Sequence, residues 1–445
     1  MRIKRDGVCR CGFGTRLAAV VLSGILLSSC AFETENTNLP DLQSYADTAV
    51  TDDYSAEDVG DYTSLSSAET DSADSNALTD VTQEQETVEY PEPYGTTLSA
   101  EFFLQNLSDA EREVYDELYS GIFDFSDTID VTDGVILGDD FNDFLSLVTT
   151  TSVTAADMDS NYKMYVDENG FVTKIEVTYT LSRDEGAVQY YKLTERAKEI
   201  ADSIDPDLSD YDKIKLIHDE IVKGCEYDED AEFPNSAYGS LCDGGGMCES
   251  YSKAFTLLCD LVGIESVPVT GTATDEDGLV QAHIWNKVLA DGVWYNVDCT
   301  WDDPTGVDDS GYVRYDYFMV CDADMAVTHS EDYNRFMTEP VAWNSNGTYF
   351  IHEGLTLDYY TDAYAAFEEQ IRICFEGGNP DMTIRFRCID EQVLEYVKQL
   401  LFDETDGEKG ISRIMREYMS EGQETCYVLS ENKWLNIITV RLKNK

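Results

Sequence analysis

Three side chains in the middle of this 445-residue chain are of the types and spacing that attack carbonyl groups. The segment DGGGMCESYSKAF, Asp243 to Phe255, runs from glycines into an apolar helical pattern that continues through Leu257, Leu258, Leu261 and Val262. Glycines allow a tight turn, and the spacing that follows predicts a largely buried helix with Cys248 at or near its first turn. Unsatisfied N–H groups and the positive end of the dipole favour a nucleophilic thiolate there. A thiol nucleophile needs a base, and the chain holds four histidines. His218 lies in the amphipathic pattern IKLIHDEIV and reads as a packing residue, while His329 and His352 lie in polar surroundings without a partner pattern. That leaves His283.

His283 belongs to QAHIWNKVLADGVWYNVDCTWDDP, two strands joined at Asp291-Gly292, a strong two-residue hairpin signal. If Ala290 faces Val293, Asp298 faces Trp285 and His283 faces Thr300. His283, Trp285 and Asp298 then share one face, with His283 and Asp298 diagonal neighbours whose Cβ atoms are roughly 7 Å apart. A carboxylate so placed can fix the imidazole tautomer and stabilise the imidazolium once it holds the thiol proton.

These motifs strongly resemble the transglutaminase-like superfamily, of papain-like fold: the glycine-rich loop, Cys and helix, then AHIWNKV, then DGVWYNVDCTWDDP. YDKIKLIHDEIVKGCEYD and SAYGSL upstream, and YDYFMVCDADMAVTHS downstream, are similar to its bacterial branch. The resemblance covers about residues 195 to 335 and implies Cys248 as nucleophile, His283 as general base and acid, and Asp298 as orienting acid. The residue after the nucleophile, often Gln in such domains, is Glu249; its charge would disfavour a thiolate if it pointed inward, so it is expected to face solvent. An oxyanion hole needs donors, for which the Cys248 N–H and the Tyr238 hydroxyl are candidates.

The elements that must position these groups predict an α+β fold: a helix bearing the Cys packed on an antiparallel sheet bearing His and Asp, flanked by two small α+β modules. The expected organisation is a lipoprotein signal peptide at 1–30, a disordered acidic tether at 31–96, an N-terminal α+β region at 97–194, the catalytic domain at 195–345 and a C-terminal α+β domain at 346–445. Ser108-Asp109-Ala110-Glu111 has the shape of a capping box ahead of Val114, Leu118 and Ile122. The alternation about Asn169-Gly170 reads as a hairpin. In the last region three helical patterns accompany the strand-like MTIRFRC, ETCYVLS and LNIITVRL.

Charge sharpens this picture. The formal net charge is −59, which excludes a nucleic-acid partner and a polybasic grip on lipid headgroups. Residues 1–30 are basic, whereas residues 31–100 hold 17 acids and no Lys or Arg. Such a stretch cannot bury enough apolar area to offset its ordering entropy. The apolar run from Leu17 to Leu27 is too short to span a bilayer and reads as a secretory h-region. Leu27-Ser28-Ser29-Cys30 resembles a bacterial lipobox, which implies lipidation at Cys30 and anchorage to the membrane at the cell surface.

Eight cysteines remain besides Cys9, Cys11, Cys30 and Cys248, and both disulfides and buried free thiols are compatible with them. No C-x-x-C follows the leader, so no structural zinc is expected. Asp302, Asp303, Asp308 and Asp309 could bind calcium, though without EF-hand spacing a solvated loop or a brace for the turn is the simpler reading. No cofactor is therefore expected. The chemistry points to attack on amide carbonyls through a thioester, by hydrolysis or amine transfer, with a protein or cell-wall peptide as substrate. The competing class is a surface binding module that keeps the fold without turnover.

Overall fold

A computed structural model describes residues 96–152, 158, 162–304, 312–379, 382–405, 408–419 and 425–444. The leader, Cys30, the tether up to residue 95, Asp308 and Asp309 lie outside them. Among the described residues no helix is long and apolar enough to cross a membrane. All nine described cysteines are free thiols.

The protein mixes helix and antiparallel sheet around three buried apolar clusters. In the first region the Ser108 hydroxyl accepts from the Glu111 N–H, and the Glu111 carboxylate accepts from the Ser108 N–H. This reciprocal cap starts the helix Asp109–Phe123 and turns Val114, Leu118 and Ile122 inward. Strands Lys163–Val166 and Val172–Glu176 pair antiparallel around Gly170, and Thr128–Asp130 adds a third strand. At the other end, Thr356–Leu357, Thr383–Cys388, Ile437–Asn444 and Thr425–Asn432 form one sheet in that order. Helices Ala363–Phe375, Glu391–Phe402 and Gly410–Tyr418 bury apolar residues in the same cluster.

The middle of the chain opens with α1 (Arg183–Ser203), which runs unbroken past residue 194, and α2 (Asp210–Gly224). Two short strands, β1 (Glu226–Tyr227) and β2 (Gly245–Gly246), pair in parallel ahead of α3 (Cys248–Leu261). Every residue of α3 from Ser250 to Cys259 is buried, as expected of a helix enclosed on all sides. Beside it lies a five-stranded antiparallel sheet. Its strands are β3 (Ser266–Thr274), β4 (Val280–Ala290), β5 (Val293–Val297), β6 (Phe318–Val320) and β7 (His329–Glu331), in the order β7-β3-β4-β5-β6.

The β4–β5 hairpin has the expected register, Ala290 facing Val293 through to Asn286 facing Val297. Its predicted length is corrected, because the strand does not continue to Thr300. Asp298 accepts the N–H groups of Thr300 and Trp301 and becomes the N-cap of the short helix α4 (Cys299–Asp302). Capping competes with the ladder here, as Asp side chains do wherever a helix can start.

Candidate active site

Cys248 is placed by its glycines. The turn before it ends at Gly244 with φ +77°, a left-handed conformation that other residues adopt at a cost. A Cβ on Gly246 would lie 2.5 Å from Ser250 Oγ, so a side chain there would push α3 away. Ser250 ties the loop to the helix, accepting from Ser240 N–H at 3.0 Å and donating to Ser236 O at 2.6 Å. Met247 is extended and Cys248 is the first helical residue. Its N–H therefore belongs to the first turn, whose donors have no partner within the helix.

Helix and sheet are held in step by Asn286 on β4. Its amide donates to Ser252 O at 3.2 Å and to Thr256 Oγ1 at 3.0 Å. His283, three residues earlier on the same strand, lies close enough to Cys248 for the sulfur to act on its ring. His283 Nε2 lies 2.7 Å from Asp298 Oδ2, which leaves Nδ1 as the nitrogen toward Cys248. The structure thus brings Cys248, His283 and Asp298 into one line of contacts.

Burial pulls the His283 pKa down, but the Asp298 carboxylate and the Cys248 sulfur outweigh it and raise it to about 10. Burial alone would push the Asp298 carboxyl up; the His283 and His329 rings instead hold it below the usual carboxylate range.

His329 corrects the sequence reading. It is buried on β7, with Nε2 3.1 Å from the same Asp298 Oδ2 and Nδ1 2.8 Å from Thr328 Oγ1. Trp301, Trp285 and Tyr317 surround its ring at 4.6, 5.1 and 5.4 Å. Burial lowers its pKa, against the pull of Asp298, so it is the neutral member of the pair. No local pattern announced it; a His in a polar stretch acquires this partner only when β7 reaches the sheet edge. His283, Asp298 and His329 offer ligand atoms within 4.8 Å of one another. A divalent ion would fit this donor set only if both Asp298 hydrogen bonds were given up.

Glu249 also departs from expectation. Only 15% of its side chain is exposed, and it pairs with Lys253 Nζ at 2.8 Å rather than facing solvent. Lys253 in turn donates to Asn235 O, so the charge beside Cys248 is compensated locally.

Tyr238 lies in the core with its ring edge-on to Phe233. The tyrosine whose hydroxyl feels the Cys248 charge is Tyr227 on β1, its pKa raised first by burial and then by that charge. β1 pairs with β2 at Tyr227 and Gly246, two residues before Cys248. The CEYD signature that contains Tyr227 was visible in the sequence, but its pairing was not.

The described acids of the suspected calcium cluster face protein donors. Asp302 takes the Tyr317 N–H at 3.0 Å and meets His218 Nε2 at 3.1 Å, while Asp303 accepts from Tyr251 OH at 2.6 Å. Both brace the turn behind the site. His218 is wholly buried, and His352 stacks on Tyr211.

Residues 198–299 match the transglutaminase-like superfamily, and this segment is a domain of that class. It contains Cys248, His283 and Asp298 but not His329. No curated protein matches the chain. Among solved structures it is similar to a TGase at 13% identity and TM-score 0.24, over 34% of this chain and 47% of that one. A candidate cysteine protease from Cytophaga hutchinsonii is 15% identical, with TM-score 0.22, over 42% of this chain and 80% of that one. A candidate protease from Parabacteroides distasonis is 14% identical, with TM-score 0.16, over 30% and 29%. The chain thus spans about half the length of the TGase it matches. The superfamily match is that of a cysteine enzyme in the general sense.

Proposed function

We propose that this protein is a cysteine acyl-transfer enzyme acting on amide carbonyls of peptides or proteins. The observation that carries the reading is the continuous contact from the Cys248 thiol through His283 to Asp298, set at a helix N-terminus. Cys248 Sγ attacks the carbonyl carbon as its proton passes to His283, and the Cys248 N–H and the Tyr227 hydroxyl are the candidate donors to the oxyanion. Collapse breaks the C–N bond, the leaving amine takes the proton from His283, and a thioester remains. Water then attacks the thioester, giving hydrolysis; a primary amine in its place gives a cross-link. Asp298 keeps the ring oriented and balances the imidazolium throughout.

The reading includes place as well as chemistry. Lipidation at Cys30 would tether the enzyme to the outer face of a bacterial membrane, where proteins and cell-wall peptides are within reach. A Cys30→Ala variant should move from the membrane to the soluble fraction and lose a metabolically incorporated fatty-acid label. For the reaction, glutamine-containing peptides are offered with and without a labelled primary amine. Chain cleavage or amide hydrolysis identifies a peptidase or amidase, and amine incorporation with ammonia release identifies a transglutaminase. Neither product from a broad peptide library, with Cys248→Ala indistinguishable from wild type, would favour a binding module.

A further inference from the structure

Asp298 Oδ1 caps α4 with two backbone N–H groups, and Oδ2 meets two imidazoles. One imidazole suffices for a Cys-His-Asp line. The second, His329, is brought in by an arrangement with its own structural requirements. On β3, Gly271 pairs with His283 of β4 and with Glu331 of β7, and Ala273 pairs with His329. Directly paired residues share a face, so His283 and His329 point to the same side from strands on either flank of β3. Strands two apart are separated by roughly 9.5 Å, yet the two rings come within 5.3 Å over the small residues between them. A Cβ on Gly271 would sit 2.1 Å from Ser330 O and 3.0 Å from Trp285 Cη2, so any side chain there would displace β7.

We propose that His329 is a positioning residue of the acyl-transfer site: its Nε2–H donates to Asp298 Oδ2 and holds that oxygen where it receives the His283 Nε2–H. The ring acts as a dipole, not a charge, so Asp298 keeps one cationic partner, His283. The Asp298 carboxylate can only accept, which requires the proton on Nε2; Nδ1 lies 2.8 Å from Thr328 Oγ1, whose hydroxyl also donates to the Tyr317 hydroxyl at 3.2 Å. The ionisable groups that face His329 are Asp298 from α4, His283 from β4 and Tyr317 from the segment before β6; Trp285 and Trp301 close the remaining sides. A residue kept only for packing in this aromatic surround would need no nitrogen at either end.

The proposal rests on Cys248 being the nucleophile, and the test separates the two. Iodoacetamide, which needs no binding pocket, is reacted with the full chain between pH 5 and 11, and modification of the Cys248 peptide is followed by mass spectrometry. His283→Ala should abolish the elevated reactivity; if it changes nothing, the nucleophile reading itself fails. His329→Phe should slow Cys248 about tenfold, the weight of one hydrogen bond to a charged group, and displace the alkaline limb of the profile. His329→Gln, whose amide can donate to the same oxygen, should return to within about threefold of wild type. If His329→Phe does not fold, His329→Asn replaces it, its shorter amide falling short of Asp298, with the same loss expected. An effect of His283→Ala with wild-type rates in His329→Phe, or equal slowing in the Gln and Phe variants, overturns the positioning role.

Discussion

Two buried histidine–aspartate constellations lie at opposite ends of the four-residue helix α4, and only one of them sets an imidazole against a partly exposed thiol. At its start, Asp298 joins His283 and His329, and His283 contacts Cys248. At its end, Asp302 joins His218, whose other nitrogen lies 3.3 Å from Asp219; Lys215 and the Tyr315 hydroxyl complete that network. Of the three histidines that pair with these carboxylates, His218 and His283 have raised pKa values despite burial, for the same electrostatic reason, whereas burial lowers that of His329. In the second set His218 and Asp302 are wholly buried, and the nearby Cys299 is buried too. Burial first, then Asp298 and Asp302, push the Cys299 thiol well above its ordinary value. A histidine, a carboxylate and a cysteine close together are therefore not enough. Cys299 is also the first residue of its helix, so a helix N-terminus is not enough either; the thiol has to lie against an imidazole, less deeply buried and away from surrounding carboxylates.

The largest effect that would break this comparison is at the nucleophile and its base. Cys248→Ala should abolish acyl transfer, and His283→Ala should reduce it by about 10²–10⁴-fold, the range for losing a general base. Both are measured as single-turnover rates on a peptide ester. If either retains wild-type rates, the two constellations are alike and both structural.

His218→Leu should act in the opposite sense. It leaves Asp302 buried without its histidine and should cost about 3–5 kcal/mol of stability, read from denaturant unfolding. Cys248 alkylation below the transition should stay within about threefold of wild type. A catalytic loss larger than the stability loss would mean that the sealed set also serves the reaction.

A pH titration sharpens the contrast further. The raised His283 pKa means that its stabilising charge is fully present below the unfolded value of roughly 6.5 and is lost as pH rises through about 10. The lowered Asp298 pKa means that its contribution is present above roughly 3.9 and is lost as pH falls through its lower folded value. Stability should therefore fall near pH 10, and His283→Ala should remove that step. The smallest signal is the order of thiol labelling: Cys248 first in the native state, with Cys299 and Cys259 reacting only on unfolding. Early labelling of Cys299 would erase the difference between the two ends of α4.

Local patterns made much of the site legible in advance. Asp291-Gly292 specifies a hairpin, the hairpin specifies a register, and the register brings His283 near Asp298. The glycine run and the apolar repeat after it place Cys248 at a helix start. What stayed hidden depends on contacts distant in sequence. Three-residue β7 carries no recognisable alternation, so although His329 lies within the downstream motif, nothing in the polarity of VTHSED marks it as a neighbour of Asp298. Tyr227 was quoted within a motif, but its approach to Cys248 depends on a two-residue parallel pairing between β1 and β2. Strand and cap signals overlap at Asp298, and the cap prevails.

The sequence by itself therefore determined the nucleophile's helix, the hairpin and the pairing of one histidine with one aspartate, because each follows from backbone preferences over short spans. Tertiary structure alone decided which end of α4 is open to chemistry, how Glu249 is neutralised and why His329 joins the site. Those outcomes require a sheet edge to dock beside β3 at Gly271 and a buried carboxylate to choose between two rings. Neither choice has a signature within any single stretch of residues.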